Sequence, residues 1–144
     1  MTTVKDDFII STDREKLDLP FIHAFLTESY WLQGVAFELV ERAADHSLNF
    51  GLYHQDRQIG YARVVTDYTR VAYLADVFVA VPYRGRGLSK WLVREIMHHP
   101  DLQHLSRWML NTKDAHGLYR QLGWTDPVKP ETYLEIYKPE NYKQ

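Results

Sequence analysis

The fold is decided by residues 76–89, which read DVFVAVPYRGRGLS. Apolar residues first occupy both faces of the segment, which is typical of a buried β-strand. Pro82 ends that strand, because proline cannot donate to a sheet ladder. Gly85 and Gly87 then permit backbone angles that a side chain disfavours. From Leu88 the apolar residues return at helical spacing, so the sequence predicts a strand, a glycine loop and a helix.

The start of this helix is a candidate anion site. A helix that follows a glycine loop leaves several backbone N–H groups unpaired at the positive end of its dipole, and phosphate is the usual ligand. Arg84, Arg86 and Lys90 add positive charge there. Alone, Arg-Gly-X-Gly favours a tight turn with solvated arginines, but the flanking strand and helix favour a phosphate site. A Rossmann fingerprint or a P-loop would need further glycine or lysine residues that this stretch lacks.

Size and composition predict one cytoplasmic domain, residues 1–144. The hydrophobic content of 45% and the charged content of 25% are ordinary for a globular protein. The count of Cys 0 excludes disulfides and thiol nucleophiles. No membrane span or secretory segment is recognised, and the net charge of -2 argues against binding to nucleic acid or to a membrane surface.

The remaining elements complete a layered fold. Strands are expected at residues 8–12, 48–53, 59–66, 74–81, 108–111 and 133–137. Helices are expected after Asp18, near Ala36, from Leu88 and after Asp114, with the two aspartates as caps. The order is β-α-α-β-β-β-α-β-α-β, which predicts an α+β sandwich with a mostly antiparallel sheet.

Two segments together resemble the GNAT superfamily of N-acetyltransferases. Residues 79–89 are similar to the family's pyrophosphate-binding strand, loop and helix, and residues 115–124, AHGLYRQLGW, are similar to its Ala-x-x-Leu-Tyr-x-x-x-Gly-aromatic segment. The resemblance extends from Phe8 to Tyr137. It implies a GNAT-like mixed, mostly antiparallel sheet flanked by helices. It also implies transfer of an acetyl group from acetyl-CoA to an amine of a small molecule or protein by direct attack.

The same resemblance implies a binding site for acetyl-CoA. Loop amides would hold the pyrophosphate, and an N–H near Phe78 or Val79 would polarise the thioester carbonyl. Thr112 stands where the family often has asparagine, and the adjacent Asn111 is the polar candidate beside the pantetheine arm. The residues expected to contact the co-substrate are Phe78, Val79, Arg84, Gly85, Arg86, Gly87, Leu88, Ser89, Lys90, Asn111, Asp114, His116 and Tyr119.

Two residues are catalytic candidates. Tyr119 matches the family's general acid, and a phenol is protonated at neutral pH. The alternative is a core tyrosine. Asp76 is the candidate general base, because it is expected to share an apolar strand face with Leu74, Phe78 and Ala80. Its alternative is a structural ion pair with Arg63 or Arg70, which would weaken the carboxylate as a proton acceptor.

The acceptor site is expected near the link between the first two helices. Tyr30 and Trp31 in that link are pocket candidates. Tyr61, Arg63, Asp67 and Tyr68 could form the opposite wall, where Asp67 would attract a cationic amine. For each of these residues, core packing or a solvated loop is the competing interpretation.

Other functions are weighed against this one. A non-catalytic acyl-CoA-binding module or sensor would keep the phosphate loop without turnover. A nucleic-acid contact by the Arg-Gly pairs lacks a basic face to support it. No metal is expected, because the neighbouring His98 and His99 point to different helix faces. The protein is expected to be a monomer or a homodimer, and the aromatic residues Tyr133, Tyr137 and Tyr142 favour a dimer.

Overall fold

The computed structural model describes residues 1–143 and contains one six-stranded sheet. Its strands are β1 (Thr2–Lys5), β2 (Phe8–Ser11), β3 (Leu48–His54), β4 (Arg57–Thr66), β5 (Val71–Val79) and β6 (Arg107–Met109). The strands lie in the sheet in chain order, and every neighbouring pair is antiparallel except β5 and β6, which are parallel. The α+β class and the mixed, mostly antiparallel sheet are therefore confirmed.

Four α-helices flank the sheet. They are α1 (Leu19–Leu26), α2 (Phe37–Asp45), α3 (Leu88–Met97) and α4 (His116–Gln121). Helix α1 begins where the sequence predicts, because an Asp18 side-chain oxygen accepts a hydrogen bond of 3.1 Å from the Phe21 N–H and Pro20 fits its first turn. Helix α3 supplies the crossover that the parallel pair β5 and β6 requires.

The core consists of two apolar clusters. The first cluster includes the buried residues of α3, with Leu92, Val93 and Ile96 fully enclosed, together with Tyr119 of α4. The second cluster joins Ile22 and Leu26 of α1 to Tyr61 of β4 and Phe78 of β5. The sheet is thus buried on both faces, which explains why β5 is apolar on both sides.

Strand β5 contains a β-bulge at Asp76. Tyr61 of β4 lies opposite Phe78, but Arg63, two residues on, lies opposite Ala75, so β5 has one extra residue. Asp76 has a φ angle of 56°, which is uncommon for a residue other than glycine. The bulge shifts the side-chain alternation, since an extra residue moves the later side chains of the strand to the other face.

This shift corrects one expectation. Leu74 belongs to the first cluster and Phe78 to the second, so the prediction that both of them share one strand face with Asp76 is wrong. Ala80 lies beyond the end of β5. Asp76 lines a cavity together with Tyr61 of the second cluster, so its carboxylate is on the same side of the sheet as Phe78.

Both ends of the predicted sheet also need correction. A strand that the sequence does not predict, β1, pairs antiparallel with β2. It has no run of apolar residues, because it is an edge strand and mostly exposed. The predicted strand at residues 133–137 is absent, since residues 133–138 form neither helix, turn nor sheet and all of them are exposed.

The start of α4 differs in detail. The Thr112 hydroxyl accepts a hydrogen bond of 3.1 Å from the Ala115 N–H, so Thr112 closes the turn that leads into the helix. Asp114 is exposed and makes no cap bond to α4, so its predicted role as cap is wrong. The helix ends before Gly123, which has a φ angle of 94°.

Within residues 1–143, no helix is both long and apolar enough to cross a membrane.

Candidate functional site

The glycine loop has the backbone that the sequence predicts. Gly85 and Gly87 have φ angles of 80° and 74°, in the left-handed region that favours glycine. Gly87 is the N-cap of α3, and no side chain in the described part of the chain caps the first turn. The N–H groups of this turn therefore have no side-chain acceptor, which is the arrangement that binds anions.

Positive charge surrounds the loop. The Arg84 Nε atom donates to the Val79 carbonyl oxygen at 3.1 Å, which holds this side chain against the end of β5. The Arg86 guanidinium lies 5.4 Å from the centroid of a neighbouring tyrosine ring. Lys90 donates from Nζ to Gln121 Oε1 at 3.0 Å, which connects α3 to α4. The predicted cluster of three basic residues is therefore assembled beside the uncapped helix turn.

A cavity of about 260 Å³ opens at the loop. It is lined by Val79, Tyr83, Arg84, Gly85, Gly87, Leu88, Ser89, Lys90 and Leu118. Most of these residues come from the first motif and the helix turn after it, whereas Leu118 comes from α4. The fold therefore brings the two sequence motifs to one cavity, although they lie far apart in the chain.

The pairing of the parallel strands stops well before β5 ends. The last paired residues are Tyr73 of β5 and Met109 of β6, yet β5 continues to Val79. After β6 the chain turns away, and Asn111 Nδ2 donates to the Tyr73 hydroxyl at 2.9 Å. Asn111 therefore lies at the point where the strands separate. One edge of β5 between this point and the glycine loop has no strand beside it in the described chain.

Tyr119 of α4 is buried in the first cluster. Its ring packs at 5.8 Å, edge to face, against Trp124 within the first cluster. Burial, with a smaller contribution from Tyr30, raises the pKa of the Tyr119 phenol to about 12. The phenol is therefore fully protonated at neutral pH, as a general acid must be. The same burial fits the alternative of a core tyrosine, and the acid role stays a prediction.

A second cavity, of about 110 Å³, lies on the α1 and α2 side of the sheet. Its lining residues are Leu26, Leu32, Val35, Leu39, Val40, Ala43, Tyr61, Arg63, Asp76 and Tyr142. The lining is mostly apolar, with one ion pair in its wall. We call this space the acceptor cavity, after the acceptor residues that the sequence predicts in its wall.

Asp76 is held firmly in that wall. Arg63 Nε donates to Asp76 Oδ2 at 2.6 Å, and Trp31 Nε1 donates to Asp76 Oδ1 at 3.0 Å. The Asp76 side chain is only 7% exposed. The ion pair with Arg63 foreseen as the alternative for Asp76 is therefore present, and the role of general base stays a prediction. Trp31, also predicted near the acceptor, contacts Asp76 but does not itself line the cavity.

Of the predicted acceptor residues, Tyr61 and Arg63 line the cavity, but three others lie elsewhere. Tyr30 is exposed and its hydroxyl accepts a bond of 3.3 Å from the Lys113 N–H, so it links the α1–α2 connection to the start of α4. Tyr68 is exposed in the turn between β4 and β5. Asp67 accepts hydrogen bonds from the Arg70, Thr69 and Val71 N–H groups in that turn, which hold its pKa well below the usual range. Neither Asp67 nor Tyr68 lines the acceptor cavity.

Tyr142 is a cavity residue that sequence reasoning missed. The sequence predicts that Tyr142 is exposed, like the other C-terminal aromatic residues. In the structure it is half-buried against the second cluster. Its hydroxyl donates to the Gln33 carbonyl oxygen at 3.0 Å. A single tyrosine in a polar tail carries no local signal for such a contact, because the partners come from distant elements.

The comparisons with known proteins agree with this geometry. Residues 17–124 match the model of the "Acetyltransferase (GNAT) family". The chain belongs to the GNAT acetyltransferase family. It is therefore an acyltransferase of a fold that uses acetyl-CoA.

Individual relatives show the same relationship. A solved GNAT-family structure from Xanthomonas campestris pv. campestris is 46% identical, with a TM-score of 0.91, and the match covers 95% of this chain and 97% of that one. A curated Gibberella zeae protein, whose acetyltransferase name is provisional, is 27% identical over 85% of this chain and 81% of its own length. A Clostridium acetobutylicum acetyltransferase solved with acetyl-CoA shares the fold at a TM-score of 0.65 and 12% identity, covering 95% and 96% of the two chains.

The residues of this GNAT protein fit acetyl-CoA. The uncapped turn of α3 and its basic neighbours suit the pyrophosphate, and the unpaired edge of β5 suits the amide-containing arm.

A Cβ atom on Gly117 of α4 would meet no protein atom within 4 Å. No protein contact therefore requires glycine there, although glycine weakens a helix. Among the exposed residues of this region, His116 is available for the predicted contact. Within the described residues, no group of three metal-binding side chains is found.

Proposed function

We propose that the protein is an N-acetyltransferase that transfers the acetyl group of acetyl-CoA to the amine of a small molecule with an apolar substituent. The observation that carries this proposal is the position of Asp76. It lies at the bulge of β5, faces the acceptor cavity, and is followed after a few residues by Val79 at the rim of the glycine-loop cavity. One short stretch of β5 thus runs from the binding site for the pyrophosphate to the binding site for the amine.

The acceptor cavity defines the amine that fits. Its apolar lining favours an alkyl or aromatic substituent, because burying such a group removes it from water. The Asp76 carboxylate is the acceptor for the amine N–H in this wall. The hydrogen bond from Arg63 holds that carboxylate in place. We prefer a small molecule to a protein because the site is a small, mostly apolar cavity of about 110 Å³.

The reaction needs two proton transfers. Acetyl-CoA supplies an activated acyl group, and the neutral amine nitrogen attacks its carbonyl carbon. A main-chain N–H near Val79 supports the negative charge on the carbonyl oxygen. The C–S bond breaks, Tyr119 gives its proton to the departing sulfur, and Asp76 receives the proton lost by the amine, directly or through water. Both residues then exchange protons with solvent.

Two measurements test this function. Calorimetry with purified protein is expected to detect CoA binding. A thiol-release assay is then run with acetyl-CoA and a panel of amines of graded apolar size. We expect turnover with small apolar amines and little with lysine-containing peptides. Binding of CoA without thiol release from any amine would instead support a non-catalytic acyl-CoA sensor, and absence of CoA binding would exclude both.

A further inference from the structure

The glycine loop lies almost entirely at the surface. Of residues 81–87, Tyr83 alone is not exposed. The hydrogen bond of Arg84 is a local one, because its acceptor, the Val79 carbonyl oxygen, lies in the strand that leads into the loop. Exposed loops with few long-range contacts are mobile. The conformation of this loop therefore depends on what Tyr83 contacts.

A histidine of the sheet holds Tyr83. The Tyr83 hydroxyl and His54 Nδ1 form a hydrogen bond of 2.9 Å. Among the described residues, this is the one hydrogen bond that joins residues 81–87 to a part of the chain outside the segment from β5 to α3. His54 is thus the polar attachment of the loop to the rest of the protein.

His54 is itself firmly supported. It is the last residue of β3 and pairs with Phe8 of β2, whose ring stacks on the imidazole at 4.9 Å. On its other side, β3 joins β4 through a tight turn in which Gln55 and Asp56 have φ angles of 50° and 66°. Positive φ angles at both central residues match the twist of the two strands and fix the hairpin. The imidazole therefore belongs to the rigid sheet.

Tyr83 lies between this histidine and the anion site. It lines the cavity at the glycine loop, and Phe8 packs edge-on against its ring at 6.2 Å. The Arg86 guanidinium lies over the same ring, 5.4 Å from its centroid, where the aromatic face attracts a cation. A ring that is fixed at its hydroxyl therefore fixes both the backbone before Gly85 and the position of one loop cation.

We infer that His54 is a positioning residue for the co-substrate: through Tyr83 it holds the glycine loop in the conformation that binds the pyrophosphate before acetyl-CoA arrives. This inference rests on the proposed binding of the pyrophosphate at that loop. A loop that is already ordered binds its ligand more tightly, because no conformational entropy is lost on binding. His54 lines neither cavity, so it acts on the loop and not on the reacting atoms.

The first test measures CoA affinity by calorimetry. His54→Leu is expected to weaken CoA binding by about fivefold, since the hydrogen bond that orders the loop is lost. Tyr83→Phe should have a similar effect. The two changes together should weaken binding no more than either alone, because both remove the same bond. His54→Asn should restore most of the affinity, since its amide carries a donor and an acceptor near the position of Nδ1.

The matched control is His23→Leu. His23 is half-buried like His54, and its Nε2 atom forms a hydrogen bond of 2.8 Å with the Val35 carbonyl oxygen. Val35 lines the acceptor cavity and not the cavity at the glycine loop. This variant should keep the wild-type affinity for CoA. In turnover, His54→Leu should raise KM for acetyl-CoA and leave kcat unchanged, as removal of uniform binding does.

The second test observes the loop without any co-substrate. NMR relaxation of the backbone amides should give Gly85 and Gly87 lower order parameters in His54→Leu than in the wild type or in His54→Asn. An unchanged CoA affinity in His54→Leu, additive losses in the double variant or equal order parameters would each overturn the inference and leave the proposed function standing. A wild-type protein that does not bind CoA would reject the pyrophosphate site itself, and the inference with it.

Discussion

Removal of the Tyr119 hydroxyl distinguishes its two interpretations, a general acid and a core tyrosine. The variant Tyr119→Phe is expected to lower kcat by about 10²-fold to 10⁴-fold if the phenol is the general acid. CoA affinity should stay the same, since the ring remains in place. Because burial raises the pKa of Tyr119 to about 12, the wild-type rate should not fall as the pH rises from 8 to 10.

A matched control is Tyr53→Phe. Tyr53 is also buried, and its hydroxyl has no hydrogen-bond partner among the described residues. It lies in β3, away from both cavities. We expect full turnover from this variant. If Tyr119→Phe also turned over at the wild-type rate with chemistry as the slow step, Tyr119 would be a core residue only.

Asp76 presents a conflict between two roles. The carboxylate forms an ion pair with Arg63, as a structural residue would, yet it borders the cavity in which an amine would bind. We predict that Asp76→Asn removes the acidic limb of the kcat/KM profile and lowers the plateau by about 10²-fold or more. Trp31→Phe, which removes a hydrogen bond but keeps the carboxylate, should retain that limb. An acidic limb unchanged in Asp76→Asn would leave Asp76 with a positioning role.

At the level of elements, the glycine loop allows a controlled comparison. Gly87→Ala places a side chain at a φ angle of 74°, where the strain is roughly 1–2 kcal/mol. Gly34→Ala does the same at 77°, in the link between α1 and α2. Neither new Cβ atom meets a protein atom within 4 Å, so backbone strain is the common cost.

The free energy of unfolding, measured by urea titration, should therefore fall by a similar amount in both variants. Only Gly87→Ala should weaken CoA binding, by roughly tenfold, because its loop must hold the pyrophosphate in one conformation. Calorimetry measures this difference. Equal CoA affinities for the two variants would show that the loop does not form the pyrophosphate site.

The same elements show what a sequence can reveal about this fold. The glycine loop and α3 are predictable, because Gly85, Gly87 and the apolar period of the helix are local signals. The bulge at Asp76 is not, since register depends on the pairing of β4 with β5 rather than on either strand alone. The local pattern at residues 133–137 predicts a strand, but a strand also needs a neighbour, and the described chain provides none.

The candidate site divides in the same way. The cavity beside α3 is predictable because one continuous motif builds most of its wall. The acceptor cavity is only partly predictable, because its wall combines α1, α2, β4, β5 and the C-terminal tail. Sequence reasoning identifies Tyr61 and Arg63, but the position of Tyr142 depends on the path of an irregular tail. The charge of Asp67 predicts that it lies in this wall to attract an amine. In the structure its carboxylate instead accepts backbone hydrogen bonds within the turn between β4 and β5.

Over the whole molecule, the site depends on one strand between two layers. Strand β5 has the first cluster on one side and the second cluster on the other. One edge of β5 is unpaired beyond Tyr73, and its bulge places Asp76 on the α1 and α2 side. In the proposed reaction the acetyl donor and the amine approach the same few residues from separate openings, as direct transfer requires.

Three buried tyrosines make the stability of the whole domain sensitive to high pH. Burial raises the pKa of Tyr53 and Tyr119 to about 12, and that of Tyr61 further, from an ordinary value of 10.0. Below pH 10 these phenols are protonated whether the chain is folded or not. Above pH 10 they ionise in the unfolded chain first, so the unfolded state is favoured.

The free energy of unfolding should therefore fall by roughly 1.4 kcal/mol per pH unit for each tyrosine as the pH rises from 10 toward 12. Urea unfolding at pH 8 to 11.5 measures this slope, and Tyr53→Phe should reduce it by the share of one phenol. A free energy of unfolding that is constant up to pH 11.5 would contradict the assignment of these phenols to the buried, protonated state.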